Sequence, residues 1–302
     1  MIDVPQRITD LAAALAPARG YNSTRAPGIS LFRADASISN LPRLQPAGIL
    51  FLLQGAEHLT WDVNVYIVHR SRYLVTSAPM AFRIDAEASA ARPLLAMHVT
   101  LEQPMAIEIA EEIDNFRGPG APRRQASCHA MGQVDETLRE LLHRILQALH
   151  SPLDSAILIP LLMRELHLRI LEREDGDAIV AGLRCQGTRG KVLKTAQSIL
   201  QNASASISVS TLAASAQLSL SSYHSHFHAL FGCSPLQYLK AARLHAAHDM
   251  LRSAKLSIGE ISAVVGYSGP WQFSREFRRY FGRTALRESK LIQNSSGDIV
   301  LG

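Results

Sequence analysis

Between Ser206 and Lys290 the chain writes one pattern twice: a short helix, a tight turn, then a second helix carrying an aromatic pair four residues apart. The first copy, ISVSTLAASAQLSLSSYHSHFHALFG, runs from Ile207 to Gly232, and the second, LSIGEISAVVGYSGPWQFSREFRRYFG, from Leu256 to Gly282. Ile207-Ser208 in the first and Leu256-Ser257 in the second lead into an Ala-bearing helix, and in each the later helix ends at Phe-Gly. Such a repeat has the form of a duplicated helix-turn-helix, which sets its second helix into the major groove of DNA.

Charge follows the same division. Residues 189–290 hold 13 Lys or Arg against Asp249, Glu260, Glu276 and Glu288, a balance of +9, whereas the first 188 residues balance at −3. A basic C-terminal third suits a polyanion, because each neutralised phosphate releases counterions. A plain soluble basic surface would look the same by charge alone, and it is the repeated motif that decides between them.

A length of 302 residues predicts two domains, 1–186 and 187–302, and 47% hydrophobic residues suffice for a core in each. Cys128, Cys185 and Cys233 lie far apart without CxxC spacing, so neither a disulfide framework nor a zinc knuckle is indicated. The N-terminal MIDVPQRITDLAAALAPARG has helical spacing and no signal-peptide apolar stretch, and no run of about 18 apolar residues occurs. These features predict a cytoplasmic protein with no membrane partner.

From Gly28 to about Val99 the texture is that of strands, with ISLFRA, GILFLLQG, VNVYIVH, RYLVTSA and PLLAMHVTL separated by Pro, Gly, Asn and Asp. Short punctuated strands imply a sandwich or barrel. Near Met105 the period changes. Val134 to His150 places Leu138, Leu141, Leu142, Ile145, Leu146 and Leu149 on one helical face, and Ser155 to Arg173 repeats the pattern with Pro160 near its start. Two amphipathic helices are therefore expected after the sheet, packed on it or forming a dimer seam. The Asp175-Gly176-Asp177 turn and the glycine-rich 182–190 stretch read as an interdomain linker. The predicted class is α+β: a strand-rich N-terminal barrel or sandwich with helices, and an all-α C-terminal double helix-turn-helix.

In the first copy, Ser210 is placed to cap the leading helix and Ser219 the reading helix. Tyr223 and Phe227, at i and i+4, face inward with Leu230, which leaves Ser221, Ser222, His224, Ser225 and His228 outside. In the second, Phe273 and Phe277 form the buried pair and Pro270 takes the first helical position after Gly269. Trp271, Gln272, Arg275, Arg278 and Arg279 remain on the outer side, and Gly269 is counted among the DNA-facing residues. Arg275 or Arg279 suits guanine O6 and N7 and Gln272 suits adenine, whereas Lys240, Arg243, Arg252 and Arg283 suit phosphates. Between the copies, Pro235 to Ser253 reads as one helix buried through Leu236, Leu239, Leu244, Ala247 and Leu251. Its length of roughly 28 Å is close to the roughly 34 Å between successive major-groove faces, so it can serve as a rigid spacer.

Through FGCSPLQYLKAARLHAAHDMLR, VGYSGPWQFSREFRRYFG and the Gly266-Tyr267-Ser268 turn, this region resembles the C-terminal domain of AraC/XylS-type transcriptional regulators. Upstream, FLLQG at 51–55, YLVTS at 73–77, ASAARPLLAMHV at 88–99 and PLLMRELHLRILE at 160–172 resemble the N-terminal module of one AraC subgroup. The resemblance implies a cupin-like barrel that senses a small-molecule effector and mediates homodimerisation, with promoter DNA and RNA polymerase as partners. No cofactor, metal or catalytic residue is expected. Effector binding would change how the paired readers meet tandem sites. This sequence also departs from the family. Ser225 and His228 stand where Arg and Lys or Arg are common, Trp271 replaces a small polar residue, and Ala285 replaces Pro. The first two changes imply a weaker grip by the first copy.

Other chemistries are weaker in the sequence. His224 and His228 share a helical face in HSHFH, yet no third ligand lies nearby. Imidazoles donating to phosphates or bases fit better, and they would tighten DNA binding at pH 6 relative to pH 8. A metal-dependent cupin enzyme with a DNA-binding tail is the alternative reading, but Glu57, His58, His69 and His98 include no His-x-His pair. Cys233 has no charged neighbour in sequence to activate it, and FRGPGAPRRQ lacks the strand-to-helix context of an anion loop. Trp61, Tyr66, Tyr73, Phe82 and Met97 are the candidate effector-lining residues, with a filled core as the plain alternative.

Overall fold

The computed structural model describes residues 4–118, 127–173, 176–184, 187–202, 207–253 and 256–290, without the side chains of Arg252 and Ser253. The anion-loop candidate Arg123-Arg124, Cys185, the phosphate candidate side chain of Arg252 and the tail from Ile292 lie outside the described residues. The chain falls into two units, Met1–Asn40 with Pro46–Gly190, and Leu41–Gln45 with Lys191–Gly302.

The described chain begins with helix α1 (Val4–Leu15), followed by nine strands: β1 (Gly20–Ser23), β2 (Ile29–Ala34), β3 (Ile38–Gln45, of which Leu41–Gln45 is grouped with the second unit), β4 (Gly48–Gln54), β5 (Ala56–Trp61), β6 (Asn64–His69), β7 (Arg72–Thr76), β8 (Met80–Ala86) and β9 (Leu94–Thr100). Helix α2 (Gln103–Arg117), strand β10 (His129–Gln133) and helices α3 (Glu136–His150), α4 (Pro152–Leu171) and α5 (Gly176–Leu183) follow. The strands make a single ten-stranded sheet in the order β1-β2-β9-β4-β7-β6-β5-β8-β3, with β10 pairing β7. It curls into a half-barrel, so of the two forms expected the barrel-like one is present.

Strand β4 shows why the central strands read as apolar runs rather than alternations. Gly48 to Leu53 are all buried, because helices cover one face and the curled sheet encloses the other. On the helix-covered face Ile49, Phe51, Tyr73, Val75, Leu95, Met97 and Val99 meet α1 through Ile8 and Ala12, and α3 through Leu138, Leu141, Ile145 and Leu149. Asp135 caps α3 by accepting from the Leu138 N–H at 3.0 Å, and Ser151 caps α4. His167 of α4 is fully buried and bonds Met163 O at 2.7 Å, while the Glu102 N–H donates to its Nε2 at 3.1 Å. Burial holds this imidazole below its usual pKa, in keeping with a neutral ring that donates on one side and accepts on the other.

Three expectations need correction. The helices do not simply follow the sheet, since α2 comes first and β10 then returns to pair with β7. Pro160 lies inside α4, not near its start. In the presumed linker, residues 176–183 lie in α5 and 187–190 in the start of α6 (Gly187–Gln201), while Asp175, Cys185 and Gln186 lie outside the described residues. Gly176 opens α5 for a packing reason rather than as a flexible turn: a Cβ there would fall 2.1 Å from the Leu171 carbonyl oxygen.

The C-terminal unit is all-helical in its described residues after 190. Beyond α6 come α7 (Val209–Ser215), α8 (Leu220–Phe231), α9 (Pro235–Ser253), α10 (Ile258–Val264) and α11 (Pro270–Phe281), and residues 285–290 are helical. Among the described residues no helix is long and apolar enough to cross a membrane.

Candidate nucleic-acid interface

Helices α7 and α8 form one helix-turn-helix, and α10 and α11 the other. The leading helices are capped by Ser208, which accepts from the Thr211 N–H at 3.0 Å, and by Ser257, which with Glu260 completes a capping box. Ser208 thus displaces the expected Ser210, which already lies within α7, because Ser208 is the last extended residue before the helix. Ser219 caps α8 as expected. The α11 cap, Gly269, offers no side-chain bond, and Pro270 occupies the first turn.

The reading helices are built on matching aromatic ladders. Tyr223, Phe227 and Phe231 stack along α8 with ring centroids 5.6 and 4.6 Å apart, and Phe273, Phe277 and Phe281 along α11 at 5.5 and 4.6 Å. Spacing of i, i+4, i+8 keeps each ladder on one stripe facing the core. The α8 ladder closes on Tyr238 of α9, and Tyr223 bonds Thr195 of α6 at 2.8 Å. The α11 ladder packs among Leu244, Ala247 and Leu251 of α9 and Ile261 and Val265 around α10. Each helix stops at a left-handed glycine, Gly232 or Gly282.

With the ladders inward, the remaining faces are set. On α11, Trp271, Gln272, Arg275, Arg278 and Arg279 are exposed. Among the described residues no carboxylate pairs with these three arginines, and the Ser268 hydroxyl donates to Gln272 Oε1 at 2.8 Å. An open groove of about 830 Å³ runs along this face, lined by Pro270, Trp271, Ser274, Arg275, Arg278 and Thr284. Ser274 and Thr284 were not foreseen, although Ser274, three residues after Trp271, shares its stripe. On α8, Ser221, Ser225 and His228 are exposed and Ser222 and His224 half-buried, with no Lys or Arg on the helix.

Helix α9 departs from expectation at Leu236, which is half exposed, while Tyr238 is buried in its place. Leu236 lies four and seven residues before Lys240 and Arg243 and shares their outer stripe. Lys240 Nζ pairs with Glu276 of α11 at 3.2 Å. Arg283 pairs with Glu288, a buried carboxylate that also bonds His248 Nε2 at 3.1 Å. For Glu288, burial opposes the charge, but His248 and Arg283 together hold its pKa below the carboxylate norm. Burial likewise opposes the charge on His248, and Asp249 and Glu288 raise its pKa nonetheless. Its neighbour His245, bonded to Tyr280 Oη at 3.2 Å, is pushed down to about 4 by burial and then by His248. Burial raises Tyr267 to about 12, helped by the Glu276 charge.

The five effector candidates divide between the two faces of the sheet. Tyr73 and Met97 lie in the helix-packed core, so neither faces the half-barrel interior; their places on β7 and β9 have the parity of Val75 and Val99. Trp61, Tyr66 and Phe82 occupy the other face, since Tyr66 pairs opposite Leu59 and Leu59 opposite Ile84. Phe82 is buried, while Trp61 and Tyr66 are half-buried around His129, which sequence reasoning missed. Tyr66 Oη and His129 Nε2 share a 3.1 Å hydrogen bond, the Trp61 ring meets His129 edge-on at 5.0 Å, and the buried Trp61 Nε1 has no hydrogen-bond partner among the described residues. Burial keeps the His129 pKa low and the Cys128 thiol at about 12. Among the described residues no three His, Cys, Asp or Glu side chains are grouped to hold a metal ion.

Comparison with known proteins matches residues 25–178 to the AraC-type transcriptional regulator N-terminus family and residues 212–288 to a helix-turn-helix domain family. The Msm operon regulatory protein of Streptococcus mutans is 34% identical over 90 residues, 30% of this chain and 32% of that protein. The virulence regulon transcriptional activator VirF of Yersinia enterocolitica is 26% identical over 129 residues, 43% of this chain and 47% of that protein. The chain therefore spans about a third to a half of the length of these curated relatives. Among solved structures, apo ToxT from Vibrio cholerae superposes with a TM-score of 0.62 at 9% identity, covering 91% of this chain and 100% of that one. ToxT bound to an unsaturated fatty acid gives 0.55 at 9% identity, covering 90% and 96%. At such identity the likeness is one of fold.

Proposed function

The chain belongs to the AraC-type transcriptional regulators, and on that footing we propose that residues 187–302 bind double-stranded promoter DNA sequence-specifically while residues 1–186 hold a small-molecule effector. The observation that carries the DNA reading is the pair of aromatic ladders, which fixes two reading helices with their polar faces outward, one lined by three arginines without carboxylate partners among the described residues. Ser221, Ser222, His224, Ser225 and His228 would face one groove segment. Gly269, Trp271, Gln272, Arg275, Arg278 and Arg279 would face the next, with Lys240 and Arg243 toward phosphates. DNase footprinting of the full chain on a selected duplex should show two protected segments about 10 base pairs apart on one face. Protection confined to a single turn, or none, would overturn the reading.

The effector is assigned to the side of the sheet carrying Trp61, Tyr66 and Phe82. ToxT, a protein of the same fold, has been found with an unsaturated fatty acid, which supports an apolar small molecule as the class to test. A ligand acts only through unequal affinity for two arrangements of the regulator. A homodimer is supported by an exposed apolar row on α4, Leu153, Ile157 and Leu161, beside the exposed Phe116 of α2. Sedimentation of Leu161→Glu should yield a lighter species than the parent, and equal masses would remove the seam. RNA polymerase completes the proposed partners, and the cytoplasm the proposed location. No observation favours the metal-dependent enzyme alternative, and the matched relatives are regulators.

A further inference from the structure

Every Phe, Tyr and Trp ring in the described part of residues 191–290 is buried or half-buried except one: Trp271 is 82% exposed. Among the described residues no ring stacks on it and no hydrogen bond reaches it. An indole left in water forgoes a large apolar burial, and Trp271 sits on a folded, well-packed helix whose opposite stripe fills the core. It is the second residue of α11, at the end of a reading helix whose first residues approach base edges. Ser274, Arg275 and Arg278 lie three, four and seven positions further on the same face and line the same groove.

We propose that Trp271 is a specificity residue that reads a thymine through its C5-methyl group. The assignment rests on the DNA-binding reading above and deepens it. Three polar or charged neighbours on this face suit hydrogen-bonding base edges and phosphates, but an indole surface has little to gain from either. The apolar feature that B-DNA displays in its major groove is the thymine methyl, and contact with it distinguishes T·A from the other pairs. The spacing adds a second expectation. Arg275 lies four residues, about 6 Å, along the helix from Trp271, and base pairs rise about 3.4 Å each. The thymine met by Trp271 and a guanine met by Arg275 therefore fall within about two base pairs of one another.

The test begins with selection of a bound duplex from a randomised pool by the full chain. Each thymine in that duplex is then replaced singly by uracil, which removes the methyl and keeps every hydrogen-bonding group. Affinities of the parent and of Trp271→Ala are measured by fluorescence anisotropy, with melting temperatures to confirm that the exposed substitution leaves folding intact. At one thymine in the second copy's half-site, uracil should weaken the parent about three- to five-fold, the worth of one buried methyl, and leave Trp271→Ala nearly unchanged. Uracil tolerated everywhere by the parent, or the same uracil sensitivity in Trp271→Ala, overturns the assignment. If Trp271→Ala weakens all duplexes evenly with no uracil effect, the ring packs on sugar and phosphate and the methyl reading is also wrong. A pool that yields no bound duplex defeats the DNA reading itself, and this assignment with it, and so is distinguishable from the other outcomes.

Discussion

Gln217 and Gly266 occupy equivalent turn positions in the two helix-turn-helix copies, both left-handed, with φ of 58° and 80°. Each N–H bonds a carbonyl three residues back, Ala214 or Ala263, and the next N–H reaches Ala213 or Ser262. Glycine adopts this backbone freely; glutamine does so at a cost. Gln217→Gly should therefore stabilise the protein by about 0.5–1 kcal/mol, less what is lost with the exposed Lys191 bond, while Gly266→Gln should destabilise it by at least as much. Urea denaturation of both variants checks the pair, and a destabilised Gln217→Gly would contradict it.

Arg275 and Lys240 differ in their surroundings. Arg275 is exposed and has no carboxylate partner among the described residues, whereas Lys240 already pairs with Glu276. Arg275→Ala is expected to relax preference at one base pair by about 1–3 kcal/mol, and Lys240→Ala to lower affinity evenly across sequences. Binding profiled over a library of single-base variants separates the two, and identical discrimination profiles would be the failing result.

Acid should weaken the fold. His129, His167 and His245 are held below the ordinary value of 6.5 by burial, His245 at about 4. Each binds its proton more weakly folded than unfolded, so its contribution is full above pH 6.5 and drains as pH falls through the lowered value. His248 runs the opposite way, since its raised pKa contributes below 6.5 and is lost as pH rises past it. Three against one, with the depressed Glu288 carboxyl on the acid-sensitive side, predicts a melting temperature that drops between pH 6.5 and 4. Thermal scans at pH 7, 5.5 and 4.5 measure it; a flat or rising trend would refute the balance.

Gly176→Ala should destabilise the N-terminal unit by about 1–3 kcal/mol, because the added methyl falls 2.1 Å from the Leu171 carbonyl oxygen. A substitution in a mere linker would be neutral. Chemical denaturation followed by circular dichroism decides between the two.

The double helix-turn-helix was legible because its signals are local: i, i+4 aromatics, serine caps and terminal glycines all act within a few residues. Strands β2, β4, β6, β7 and β9 were legible as apolar runs or alternations. β3 and β5 carry polar residues at half their positions and β8 and β10 two each, and all four take their stability from sheet neighbours rather than from an apolar run. For the same reason Tyr73 and Trp61 read alike in sequence yet sit on opposite faces, since only the register fixes which parity meets the helices. His129 reaches Tyr66 across 63 residues of chain, and nothing in its own neighbourhood announces that contact.

The two reading helices share an interior and differ in their outward dress: α8 offers serines and imidazoles, α11 three guanidinium groups. Ionic strength acts on phosphate contacts in proportion to the cations that make them. On a tandem site, rising salt should therefore act on the α11 half first and most steeply, while the contacts of α8 stay nearly indifferent. A regulator that met DNA in this way would be gripped chiefly through α11 and steadied through α8, with Lys240 and Arg243 of α9 adding to the salt dependence of the whole.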